Sequence, residues 1–164
     1  MTSDADFKAL VRARMEQTGQ PYTAARVDLL AQRDAERDAE RDAERADDER
    51  FRAKTLRAFF DGPRLRSIPA KRRARVVVLL ELLARFEAGR VYTEREVNDL
   101  LRLAHEDVAS LRRELVDYRY LERAEGRYWV TTATPQRDAN EAQEVPAGEA
   151  ELLAAMHRAD PSSA

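Results

Sequence analysis

The sequence predicts a mainly α-helical protein with one short β-hairpin, and three observations predict it. Val76, Val77, Leu79, Leu80, Leu82, Leu83 and Phe86 form an apolar run at helical spacing that covers more than half a helix circumference. Thr93-Glu94-Arg95-Glu96 is a capping box, with Thr93 at the N-cap and Glu96 three residues on, followed by Val97, Leu100 and Leu101. Leu121-Glu122-Arg123 and Arg127-Tyr128-Trp129-Val130 flank an Ala124-Glu125-Gly126 turn, with Gly126 supplying the positive φ that such turns need. With a third helix from Glu106 to about Tyr118, the order is helix, helix, helix, strand, turn, strand. That is the order of a winged helix, a helix-turn-helix with a short β-hairpin wing.

Composition narrows the function classes. Charged residues make up 37% of the 164, against roughly 25% in an average globular protein, so only part of the chain can form a packed core. There is no cysteine, which excludes a disulfide framework and a thiolate zinc site. No apolar run is long enough to span a bilayer, and the opening MTSDADFKALVRAR has no segment suited to a signal peptide. The expectation is a cytoplasmic protein without a membrane partner. The net charge of −2 conceals three blocks. Residues 1–50 carry nine Lys/Arg against thirteen Asp/Glu, 51–130 eighteen against twelve, and 131–164 two against six. A basic centre between acidic arms fits a polyanion binder whose arms solubilise or compete, although surface charge can also drift along a chain without purpose.

The chain divides accordingly into 1–31, 32–50, 51–130 and 131–164. The first piece is a helical hairpin: Phe7, Leu10, Val11 and Met15 recur at helical spacing, Gly19 and Pro21 interrupt, and Thr23 caps a second helix carrying Val27, Leu29 and Leu30. Two such helices bury too little surface to fold alone, so they either cover the core of their own chain or pair with a second copy in a homodimer. Gln32–Arg50 holds RDAE three times and then RADDER. Alanine is its only apolar residue, so it has no face to bury; it reads as a charged helical linker rather than a coiled coil. Phe51, Leu56, Phe59 and Phe60 lead into the 51–130 domain across the Asp61-Gly62-Pro63 turn. After Val130 the chain reads as a mobile acidic tail, with Leu152, Leu153 and Met156 on one side of a short amphipathic stretch.

Within the domain, Pro69 suits the first turn of the central helix, which runs to about Ala88 with Gly89 as its stop. Six basic residues and no acidic one lie between Arg64 and Arg75. Cations are disfavoured at a helix N-terminus, and an anion such as a DNA phosphate near that end would relieve the mismatch.

The strings FFDGPRLRSIPAKRRAR, FEAGRVYTEREVNDLL, HEDVASLRRELVDYRYLER and GRYWV resemble the bacterial domain-of-unknown-function family 2087, often attached to ArsR-type transcriptional regulators. The resemblance covers about residues 52–130. Its motif positions here include Pro69, Tyr92, Glu96, Val97, Asn98, Asp107, Arg112, Arg113, Leu115, Val116 and Trp129. It implies a winged-helix-like fold and nucleic-acid binding, with no assigned reaction.

The functional expectation is DNA binding in a transcriptional regulator, mainly through phosphate contacts. The candidate residues are Arg64, Arg66, Lys71, Arg72, Arg73, Arg75, Arg112, Arg113, Arg123 and Arg127. The exposed side of the third helix carries Glu106, Ser110, Arg113 and Asp117, which makes it a weak base reader. Arg112 and Arg113 can instead be structural, one pairing with Glu96 or Asp107. The alternative is a winged helix that no longer reads DNA and docks a protein. No enzyme signature is present: His105 and His157 stand apart, no nucleophile adjoins a base, and there is no Gly-rich phosphate loop. No metal site and no cofactor are expected.

Overall fold

The computed structural model describes residues 4–146 and 148–158; the sequence-defined tail extends beyond them, so its last residues lie outside the described part. Among the described residues there are seven helices and two small antiparallel sheets. No helix among them is long and apolar enough to cross a membrane. The chain divides after Glu44 into two compact units.

The first unit holds α1 (Asp4–Thr18) and the opening turns of α2 (Tyr22–Phe59). Gly19 turns the chain at φ +69°, a conformation open to glycine at little cost. Val11 and Ala25 are fully buried, and the Arg33 guanidinium lies 5.4 Å from the Phe7 ring centroid. Leu10, Val27 and Leu30 remain exposed. The RDAE repeat is helical throughout, continuous with the helix before it. Alanine, arginine and glutamate favour that state, and pairs three residues apart such as Arg41–Asp38 at 3.4 Å add modest support.

The second unit is built on α3 (Arg72–Leu83), which has Val76, Val77, Val78, Leu79, Leu80, Leu82 and Leu83 all buried. Ahead of it β1 (Phe60–Asp61) and β2 (Arg64–Leu65) form a tight hairpin around Gly62, tied to the domain by the Leu65 amide donating to the Ala104 carbonyl at 2.9 Å. Then follow β3 (Tyr92–Thr93), α4 (Glu94–Arg102), α5 (Val108–Asp117), β4 (Leu121–Ala124) and β5 (Arg127–Val130). The three strands make one sheet in the order β3-β5-β4. Tyr92 pairs with Tyr128, and Leu121 with Val130, so the inward residues of the ribbon close the core beneath α5.

Several boundaries differ from expectation for local reasons. Pro69 lies before α3 rather than in its first turn, and its carbonyl accepts from the Arg75 guanidinium at 2.8 Å. The helix ends at Leu83, not near Ala88. The Arg85 and Phe86 amides bond back three residues, to Leu82 and Leu83, and this tightening turns Phe86 into the core. There its ring meets Tyr92 edge-on at 5.3 Å, and the Tyr92 hydroxyl accepts from the Glu87 amide at 2.7 Å. The third helix starts at Val108 with Asp107 as its N-cap, leaving Glu106 outside. It ends without a glycine. The Tyr120 and Arg119 amides donate to the Leu115 and Val116 carbonyls, the pattern of a Schellman motif, with Arg119 left-handed at φ +62°. The hairpin turn is two residues rather than three: Ala124 pairs with Arg127, and Glu125 and Gly126 both have positive φ.

Residues 131–158 add α6 (Ala139–Glu144) and α7 (Glu149–Arg158). The amphipathic pattern seen around Leu152 and Leu153 has a destination, since Leu153 is 2% exposed inside the main core and Val145, Leu152 and Met156 pack beside it. A buried ion pair, Arg137–Glu149 at 2.5 Å with side chains only 8% and 6% exposed, fastens the segment. Arg137 also donates to the Tyr118 carbonyl at 2.8 Å and lies against the Tyr120 ring. Burial among these groups and the nearby Glu149 carboxylate push the Tyr120 hydroxyl far above the ordinary tyrosine range.

Two outcomes are expected. Leu153→Ala removes a fully enclosed side chain and should cost about 2–5 kcal/mol, read as a lowered urea midpoint. Arg137→Ala strands a buried carboxylate and should cost about 3–5 kcal/mol, whereas Arg137→Met with Glu149→Leu should recover most of it; an equal loss in both proteins would show that the ion pair itself carries the energy.

Candidate nucleic-acid interface

The site begins with how α4 and α5 are held. Thr93 and Glu96 cap α4 reciprocally: the Glu96 amide donates to the Thr93 hydroxyl, and the Thr93 amide donates to the Glu96 carboxylate at 2.8 Å. Those bonds, with Arg90 at 3.1 Å, hold the Glu96 carboxyl below the usual carboxylate range. Asp107 caps α5 by accepting from the Ser110 amide at 3.1 Å, and its carboxyl is lowered by Ser110 in the same way. Both acids are thus committed to caps. Arg112 accordingly pairs with neither of them; it pairs with Glu94 at 3.1 Å and with the Asn98 carbonyl oxygen. This contact ties α5 to α4 and corrects the expectation of a Glu96 or Asp107 partner.

Between α5 and the ribbon lies a groove of about 360 Å³, lined by Ala109, Arg112, Arg113, Val116, Asp117, Arg123 and Tyr128. The sheet register explains why Arg123 faces it. Arg123 pairs with Tyr128, so the two share a face of the ribbon, the one turned toward α5. Arg127 pairs with Ala124 and shares the opposite face with Trp129 and Glu122, where the indole N–H donates to Glu122 at 3.3 Å. Arg113 and Arg123 are exposed and have no ion-pair partner within 4 Å among the described residues. Asp117 is the acidic member of the lining.

The basic stretch before α3 is arranged differently. Arg66 pairs with Asp61 at 3.8 Å, Arg72 with Glu144 at 3.3 Å, Arg73 with Asp48 at 2.7 Å and Arg75 with Glu114 at 3.0 Å. Arg73 also stacks over the Phe51 ring at 4.3 Å. Arg64 and Lys71 are exposed. The charge mismatch at the start of α3 is therefore met by carboxylates of the chain, drawn from α2, α5 and α6. Burial pushes the Glu114 carboxyl up despite Arg75 beside it. The groove thus gathers Arg112, Arg113 and Arg123, while Arg127 and the six basic residues from Arg64 to Arg75 lie outside its lining.

Sequence reading missed Arg119 and Arg137. Arg119 pairs with Glu141 at 2.5 Å, and Arg137 makes the buried pair described above. The one sequence signal for Arg137 is that it is a cation among tail acids. Both histidines are engaged in hydrogen bonds. His105 Nδ1 accepts from the Asp107 amide at 3.0 Å, and His157 Nε2 donates to the Thr131 carbonyl at 2.7 Å. Among the described residues no cluster of three or more His, Cys, Asp or Glu could hold a metal ion.

Residues 64–130, from β2 to the end of β5, match the model of a family described as an uncharacterized protein conserved in bacteria, domain of unknown function 2087. All ten sequence-predicted site residues fall inside that match, which begins later than the resemblance drawn from residue 52. No curated protein and no solved structure matches the chain.

The lowered Glu96 and Asp107 carboxyls have a pH consequence. Their contribution to stability is present above the ordinary carboxylate range and is lost as pH falls through their lowered folded values. Between about pH 6 and pH 3, the native chain should lose more stability than Glu96→Gln/Asp107→Asn, read as the change in urea midpoint; parallel losses would show that the caps do not titrate as described.

Proposed function

We propose that this protein is a cytoplasmic bacterial DNA-binding regulator whose 51–130 domain is a winged helix that grips duplex DNA mainly through phosphates. The element order α3-β3-α4-α5-β4-β5 and the strand order β3-β5-β4 support that architecture, with α5 in the recognition position and β4–β5 as the wing. The single observation that carries the reading is the groove between α5 and the ribbon, where Arg112, Arg113 and Arg123 converge and two of the three guanidiniums, Arg113 and Arg123, form no ion pair within 4 Å among the described residues. Guanidinium groups on a helix and an adjoining ribbon suit phosphate oxygens spaced along a backbone. The exposed Leu10, Val27 and Leu30 of the N-terminal hairpin favour a second copy as a further partner.

A second reading has its own support. Asp117 shares the groove with the arginines, and Glu114 and the Asp107 cap add negative charge along α5. A mixed-charge face of this kind also suits a protein partner, and on that reading the domain keeps the fold and has lost DNA.

Fluorescence anisotropy of a labelled duplex over a salt series separates the two. On the DNA reading the native chain binds at low salt, and Arg113→Ala/Arg123→Ala weakens binding across sequences and flattens the salt dependence by about one to two contacts. Absence of binding at low salt rejects it in favour of the protein-docking surface.

A further inference from the structure

On the far side of Asp117 from the groove lies a second depression, about 280 Å³, between the start of α3, the end of α5, and α6. Arg72, Arg75, Glu114, Glu141 and Glu144 line it together with Asp117, which walls both. Cations therefore continue past the groove toward the start of α3, but here carboxylates answer them. Two of those carboxylates come from α6: Glu144 on Arg72 at 3.3 Å and Glu141 on Arg119 at 2.5 Å.

We propose that α6 is an acidic competitor built into the chain. Glu141 and Glu144 occupy Arg119 and Arg72, and a nucleic-acid backbone must displace them to extend from the groove along the end of α5. The inference rests on the DNA-binding reading above and adds its regulation.

The two pairs are poorly suited to a purely structural role. Arg72 is 69% exposed against 24% for Glu144, and Arg119 49% against 38% for Glu141; both pairs open to water on the arginine side, and such pairs contribute little to stability. The segment is held without them, by Leu153 in the core and by the buried Arg137–Glu149 pair. Their effect is electrostatic: they cancel two guanidiniums that would otherwise prolong the cationic surface. The capping box of α6, Asp138 with Glu141, keeps the short helix and its acids in register.

The test uses the full chain carrying Glu141→Gln/Glu144→Gln. Glutamine retains the capping function at position 141, and an unchanged urea midpoint verifies the fold. Anisotropy of a labelled duplex is followed from low to high salt. The variant should bind roughly tenfold tighter near 0.1 M salt, with a slope steeper by about one to two. The gain should vanish when Arg72→Ala and Arg119→Ala are added. In the native chain, DNA should raise amide exchange in residues 139–144 as α6 is displaced. Unchanged affinity and slope, or no rise in exchange, overturns the competitor; if the Arg113→Ala/Arg123→Ala loss persists beside that result, the interface survives without it. Failure of both native chain and variant to bind at low salt overturns both.

Discussion

The burial of α3 from Val76 to Leu80, and again at Leu82 and Leu83, is the constraint from which the rest of the second unit follows. A helix apolar over more than half its circumference cannot leave that surface to water, so it needs covering elements in several directions. Val76 through Leu80 are all enclosed, and no single packing partner could enclose five successive residues of a helix. Val97 and Leu101 of α4, Leu111 and Leu115 of α5, and the ribbon's Leu121, Tyr128 and Val130 supply some of the cover. Leu153 of α7 supplies more. The residues after β5 are therefore part of the core, and the surface they bring with them decides which charges of the domain face water.

Charge follows the same geometry. The arginines that begin α3 sit where a helix dipole disfavours them, and Asp48, Glu114 and Glu144 stand beside them. Those acids come from three different elements, α2, α5 and α6, so the neutralisation is set by the tertiary arrangement around α3 rather than by its own sequence. The groove by α5 escapes it. Arg112 is drawn to Glu94 and Asn98 because the capping acids are already engaged, whereas Arg113 and Arg123 face an opening between helix and ribbon. Among the described residues, the stretch richest in positive charge along the chain thus has four of its six cations in ion pairs, whereas Arg113 and Arg123 of the groove have none within 4 Å.

Much of the fold was legible because its signals are local. The Thr93–Glu96 box needs residues three apart, the ribbon turn needs Gly126 between alternating strands, and the α3 run declares its burial through composition. The helix ends depend on contacts that composition does not record. The end of α3 is set by Phe86 turning to meet Tyr92, and the end of α5 by a Schellman turn at Arg119, a residue type that does not announce a left-handed conformation. Of the candidate site, the arginines were identifiable by type, but their division into paired and unpaired depended on partners as distant as Arg72 and Glu144.

Amino-acid order alone established the helical periodicities, the caps, the turn and the separation of charge into blocks, since each depends on neighbours within a turn or two of helix or a strand pair. Folding in three dimensions settled which arginines meet a carboxylate, which face of the ribbon Arg123 and Arg127 take relative to α5, and that Leu153 closes the core. Those outcomes depend on packing contacts between residues far apart in the chain, and no local pattern records which distant side chain will arrive.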